Sequence, residues 1–445
     1  MPLLTQDEAK TLLSKVLAYS KADECEVTIN GSEGGNIRYA RNSVSTSGAI
    51  NSTQLIVAST FGRKQGISTI NEYDDTSLEK VVRRAETLAG LAPENPEYMP
   101  LLGPQTYGVP AKTFIPATAA ISTKLRADLA DQSLGIARNA GVTSAGYLEN
   151  SASFSATMNS RGLFTYNTDT NVNFSVTMRT SDGTGSGYAS GGYNDISFLD
   201  VAGDSKTAAW KAAKSGSAKA LEPGKYTVIL EPAAAIVLME NLYGALDARS
   251  ADEGRSFLGL PGGKTRLGEK LVDEQVNIYS DPWNEQLPTR NHNGEGLPQE
   301  KISWIEKGVV SNLVYSRYWA QKKGVKPVPY PDGFIMTGGT ASLDDLIKGT
   351  EKGVLVTRFW YIRSVDPQTL LFTGLTRDGT FYIENGQIKY PVKNFRFNES
   401  PIIMLNNLEA LGKPVRTISG EGGGMALIPP MKVRDFTFTS LSDAV

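Results

Sequence analysis

The chain has 445 residues, with 45 Lys+Arg against 47 Asp+Glu and a formal charge of −2. At about three times a ~150-residue domain, it calls for two or three domains, and its charge balance leaves no basic face for nucleic acid. Hydrophobic residues at 40% and charged residues at 21% suit a packed core and exclude bulk disorder.

The single His (His292) and single Cys (Cys25) are more restrictive. An intrachain disulfide cannot form. A conventional zinc site, built mostly from three or four His, Cys and carboxylate ligands, has too few imidazole and thiol donors. No apolar run approaches the ~18 residues of a membrane span. The N-terminus lacks a basic segment followed by an apolar one, and one cysteine suits a reducing compartment. A cytoplasmic location with no membrane contact is therefore expected.

Thr5 and Glu8 have the spacing of a capping box. Leu12, Leu13, Val16 and Leu17 continue it as a helix over 6–20. Cys25, Val27 and Ile29 alternate with polar residues, as in a half-buried strand. Further strands are predicted at Ile37–Arg41, Thr53–Thr60 and Gln65–Ile70, and a second helix through Leu78–Ala89. Residues 93–116 contain six prolines and read as an ordered crossing loop. A third helix follows at 118–140. Residues 142–203 alternate as antiparallel sheet, with Gly183–Gly192 as a flexible connection. A helix at 198–215 leads to the Glu222-Pro223-Gly224-Lys225 turn.

Beyond that turn come a strand at Tyr226–Leu230 and an apolar helix from Pro232 to Arg249. Short strands are then predicted at 270–279, 300–306, 309–316, 353–364, 370–376, 380–384, 387–396 and 431–439. The fold class is α+β: an N-terminal α/β domain with antiparallel sheet (1–220) and a larger, mostly β domain (221–445).

The sequence has no G-x-S-x-G, no phosphate-binding loop and no G-x-G-x-x-G. Asp182-Gly183-Thr184 and Asp378-Gly379-Thr380 read as turns. His292 lies in a polar loop with Glu295 three residues on. They are acid/base candidates, set against a histidine making only a local hydrogen bond. Cys25 sits between Glu24 and Glu26, which disfavour its thiolate, and reads as structural.

Several segments together resemble the TldD/PmbA (TldD/TldE) family, proteins described as modulators of DNA gyrase and zinc-dependent peptidases. They are Ile37-Arg38-Tyr39-Ala40-Arg41-Asn42-Ser43-Val44, Gln65-Gly66-Ile67-Ser68-Thr69-Ile70-Asn71, Gly349-Thr350-Glu351-Lys352-Gly353-Val354-Leu355-Val356, Phe381-Tyr382-Ile383-Glu384-Asn385-Gly386-Gln387-Ile388 with Tyr390-Pro391-Val392-Lys393, and the Gly-rich stretch after Ser419. The resemblance implies two-chain assemblies that cut peptides in an enclosed space. The metal-bearing member carries H-E-x-x-x-H on a helix and a late Cys.

The corresponding helix here contains Met239-Glu240-Asn241-Leu242-Tyr243-Gly244-Ala245. Registered on Gly244, Glu240 and Ala245 stand where the two His belong and Asn241 where the Glu belongs. A one-residue shift keeps Glu240 as the glutamate but puts Met239 and Gly244 in place of the His. Ser419 occupies the Cys position. No catalytic or metal residue is assigned on this chain; Glu240, Asn241, Ala245 and Ser419 are degenerate positions that could line a peptide groove. The resemblance is to the metal-free TldE/PmbA-type member. It implies no cofactor here, zinc only in a partner chain with intact H-E-x-x-x-H (or a second copy of this chain as partner), a peptide substrate and no direct nucleic acid. The alternatives are an active peptidase using Glu240 with His292 or Glu295, and a peptide-binding homodimer without proteolysis.

Overall fold

The structure, a computed structural model, describes residues 3–442. Its first half is a six-stranded antiparallel sheet in the order Lys64–Ile70, Ser43–Phe61, Glu24–Ala40, Val142–Asn159, Phe164–Thr180, Ser186–Tyr193. The predicted capping box forms: the Glu8 N–H donates to Thr5 Oγ1, and the Glu8 carboxylate accepts from the Thr5 N–H at 2.8 Å. Its helix, Gln6–Ala18, joins Asp75–Leu91 over one end of the sheet, burying Leu13, Val16, Val27, Leu55 and Val82. Helices Thr123–Asn139 and Val201–Ser215 bury the other end against Val172, Phe174 and Val176. Cys25 lies in the first of these cores, and burial is the main cause raising its thiol pKa.

Some predicted elements differ. The runs at Cys25–Ile29 and Ile37–Arg41 are parts of one strand, Glu24–Ala40. The predicted helix at 118–140 starts at Thr123, after a four-residue turn of helix at Pro116–Ala119. Gly183–Gly192 is not a flexible connection: Ser186–Tyr193 is a strand. Its glycines answer a close approach, since a Cβ on Gly187 would lie 2.1 Å from the Ala208 carbonyl oxygen of the overlying helix.

In the second half, the path Lys352–Asp366, Gly224–Leu230, Met431–Leu441, Phe395–Glu399, Leu371–Glu384 returns to its start, because the first and last strands also pair. Phe359, Phe397, Phe436 and Phe438 fill the interior, with Phe359 and Phe397 centroids 4.4 Å apart. The predicted strands 370–376 and 380–384 are one element interrupted by a kink at Asp378 (φ 56°) and Gly379 (φ 119°). The 387–396 run splits into Gln387–Pro391 and Phe395–Glu399. Only Ile278–Ser280 and Val309–Val310 of the predicted 270–279 and 309–316 runs are regular strand.

A mixed six-stranded sheet stands beside this one, ending in Phe334–Met336, Met425–Ile428 and the edge strand Val415–Ile418. Helix Pro232–Gly244 packs against both sheets. Pro232 starts it at the first turn, where a missing N–H costs nothing. Residues Ala234–Met239 and Leu242 are all buried, so the helix is apolar nearly all round and runs through the core. It stops at Gly244 rather than continuing to Arg249, and a separate short helix covers Ala248–Asp252. Among the described residues, no helix is long and apolar enough to cross a membrane.

Candidate functional site

The C-terminal end of helix Pro232–Gly244 floors a groove of about 600 Å³. Glu240, Asn241 and Gly244 face it from the helix, Tyr330 and Asp332 from one wall, and Ile362, Arg363 and Glu421 from another. Ser419 lies at the end of edge strand Val415–Ile418, where its hydroxyl oxygen accepts from the Glu421 (3.3 Å) and Gly422 (3.1 Å) N–H groups and shapes the Gly-rich loop. That loop folds onto Glu240. A Cβ on Gly424 would lie 2.2 Å from Glu240 Oε1, so a larger residue there would push the Glu240 carboxylate out of its present place.

Burial raises the Glu240 carboxyl pKa, and hydrogen bonds from Ser419 and the Gly424 N–H pull against it. Three of the sequence-derived positions, Glu240, Asn241 and Ser419, thus meet at one place. Asn241 turns its amide back to the Val237 carbonyl (2.7 Å). Ala245 is the helix C-cap, beyond the last helical residue.

His292 and Glu295 do not join this groove. His292 is buried beneath the crossing loop, its ring 5.4 Å from that of Tyr107 and its Nδ1 3.0 Å from Asn291 Oδ1. Burial, then the nearby Arg290 charge, lowers its pKa to about 4. Glu295 is exposed on the same loop, and its charge bears on Glu26 rather than on His292. The two form no acid/base couple.

The groove's other carboxylates are engaged. Asp332 takes a two-pronged contact from Arg290 (2.8 and 2.9 Å), and Glu421 accepts from the Tyr361 and Ile362 N–H groups (3.2 and 3.3 Å). Neither residue stood out in the sequence, although Tyr330-Pro331-Asp332-Gly333 carries a turn signal. A zinc ion needs imidazole, thiolate or several converging carboxylates. The degenerate positions offer one buried carboxylate, an amide turned away, a methyl and a hydroxyl, and this set does not fit the ion. Among the described residues, no group of three or more His, Cys, Asp or Glu could hold a metal.

Residues 223–440 match the model of the PmbA/TldA metallopeptidase C-terminal domain. The C-terminal half of the chain belongs to the PmbA/TldD family. A metalloprotease of Methanothermobacter thermautotrophicus is 24% identical over 298 residues, which is 62% of this chain and 63% of that protein. The metalloprotease PmbA of Escherichia coli O157:H7 is 25% identical over 223 residues, 49% of this chain and 47% of that one. The matches thus span about half to two thirds of these relatives' length. TldE from Thermococcus kodakarensis superposes over 97% of this chain and 99% of its own, with a TM-score of 0.85 at 18% identity, so the whole chain shares that fold.

Proposed function

We propose that this chain is the metal-free, non-catalytic subunit of a TldD/TldE-type peptidase assembly in the cytoplasm, and that its groove holds unfolded or extended peptide. The observation that carries this reading is the site helix. It sits in a family-like scaffold, yet Glu240, faced by Ser419, is the one carboxylate its end presents, with the chain's one histidine and one cysteine buried elsewhere. Metal and a water-activating glutamate would come from a partner chain with intact H-E-x-x-x-H. This chain would supply a wall of the enclosed space, where an extended substrate pairs with exposed strand edges.

The test is elemental analysis of the purified chain, paired with cleavage of an unfolded peptide by the chain alone and with such a partner. The expected result is no stoichiometric zinc and no cleavage alone, with chelator-sensitive cleavage by the mixture. Chelator-sensitive cleavage by this chain alone overturns the reading. Peptide capture by a homodimer that never recruits the partner replaces it with the binding-module alternative.

A further inference from the structure

A second cavity, of about 410 Å³, opens beside the groove. The crossing loop borders it at Lys112, the N-terminal half at Asp195 and Phe198, and the second half at Trp283, Glu285 and Arg416. Its size is ordinary for a ligand site. Arg416 projects from the edge strand Val415–Ile418, three residues before Ser419.

This arginine is poorly satisfied. Nη1 donates to the Gln286 carbonyl (3.0 Å) and Nη2 to the Met425 thioether (3.3 Å), while Nε is buried without a partner. A thioether is a weak acceptor. Among the described residues no carboxylate lies within ion-pair distance of the guanidinium. The nearest aromatic ring, Tyr193, is 5.9 Å away. Burial lowers the Arg416 pKa to about 10, as expected for a partly desolvated cation without a counter-ion.

The other charges around the cavity leave Arg416 uncompensated. The Asp195 carboxylate accepts from the Ser197 N–H at 2.9 Å, and Glu285 and Lys112 are exposed. Two large apolar surfaces flank the cavity: Phe198 is 64% and Trp283 40% exposed. Trp283 is fixed in place, its Nε1–H donating to the Val109 carbonyl at 2.6 Å.

We propose that this cavity seats the C-terminal carboxylate of a peptide, with Arg416 pairing the carboxylate and Trp283 and Phe198 receiving the last apolar side chain. The inference rests on the peptide reading above and deepens it. An isolated anion would satisfy Arg416 but leave the aromatic seats idle, which is why a peptide end is favoured. Met425 stands between the two cavities: it touches Arg416 and lines the groove.

The test is calorimetric titration of the full chain with a hexapeptide of apolar side chains, as the free acid and as the C-terminal amide, with inorganic phosphate as competitor. The free acid is expected to bind at least tenfold tighter than the amide. Arg416→Gln is expected to erase that ratio while leaving amide affinity unchanged. If Arg416→Gln does not fold, Trp283→Ala serves in its place: it is expected to weaken the acid peptide several-fold and to leave one ending in glycine unaffected. Equal binding of acid and amide by the wild type overturns this inference and leaves the peptide reading standing. Binding of neither overturns both. Displacement of the acid by phosphate at similar concentration makes the cavity an inorganic-anion site and overturns the peptide assignment.

Discussion

Lys211 Nζ lies 2.7 Å from Glu231 Oε2, with Lys211 buried and Glu231 largely so, across the seam between the helix Val201–Ser215 and the head of the site helix. Glu231 is the residue before Pro232 and also receives the Thr357 hydroxyl at 3.3 Å. The pair therefore ties the N-terminal half to the element that floors the groove. Lys211→Met leaves a buried carboxylate without its cation and is expected to cost ~3–5 kcal/mol. Replacing both residues by apolar ones should cost clearly less than the single change. Urea unfolding of the two variants, compared at the first transition, checks this. A Lys211→Met loss no greater than that of an exposed lysine would show that the pair does not hold the halves together.

Asp204 lies in the first turn of the same helix. Burial, with the Asp200 charge adding and Lys211 opposing, raises its pKa from 3.8 to about 6. The folded state then binds this proton more tightly than the unfolded one. The group's contribution improves as pH falls from 6 towards 3.8, and its full cost is present above 6. Asp204→Asn is expected to stabilise the chain by on the order of 2 kcal/mol at pH 8, with the gain fading as pH falls from 6 to 3.8. Thermal melts across that range test the trend, and a gain independent of pH would contradict it.

These two sites show what the sequence could and could not reveal. Alternation found the long strands, and Thr5 with Glu8 found the first helix, because those signals are local. The strand Ser186–Tyr193 was hidden because its glycines answer the backbone of a helix some twenty residues on. In the sequence alone, the kink at Asp378 reads as a turn. The buried Asp378 carboxylate takes the Arg358 Nε–H at 2.6 Å and the Ser186 hydroxyl, partners far away in the chain. At the groove, the resemblance supplied Glu240, Asn241 and Ser419. Arg416, Asp332 and Glu421 went unnoticed because their roles depend on which neighbours lack or have a counter-charge, and spacing does not record that.

His292 carries a pH dependence of the opposite sign. Its pKa falls from 6.5 to about 4 in the folded chain. Below pH 6.5 the unfolded chain takes a proton that the native one refuses, so stability falls as pH falls and the loss is complete near pH 4. The full effect is about 3 kcal/mol. His292→Asn is expected to remove this slope while leaving peptide binding unchanged, because the ring is outside the groove. Wild type minus variant, measured at pH 7 and pH 4.5, isolates the term from that of Asp204. A variant that keeps the whole slope would show that His292 is charged in the native state.

The chain should also accept the ion it is proposed to have lost. Glu240 and Ser419 already face each other, and the Gly-rich loop closes over them. The combined change Glu240→His, Asn241→Glu, Ala245→His and Ser419→Cys restores two imidazoles and a thiolate on that frame. It is expected to retain about one equivalent of zinc through gel filtration, since three such ligands make an open zinc site. The wild type should retain almost none. Omitting Ser419→Cys should weaken retention sharply, which separates a built site from adventitious binding by the new histidines. A folded quadruple variant that holds no more zinc than the wild type would mean that the helix end and the Ser419 turn are not a vacated metal site. The register that places Glu240 and Ala245 at the histidine positions would then fail.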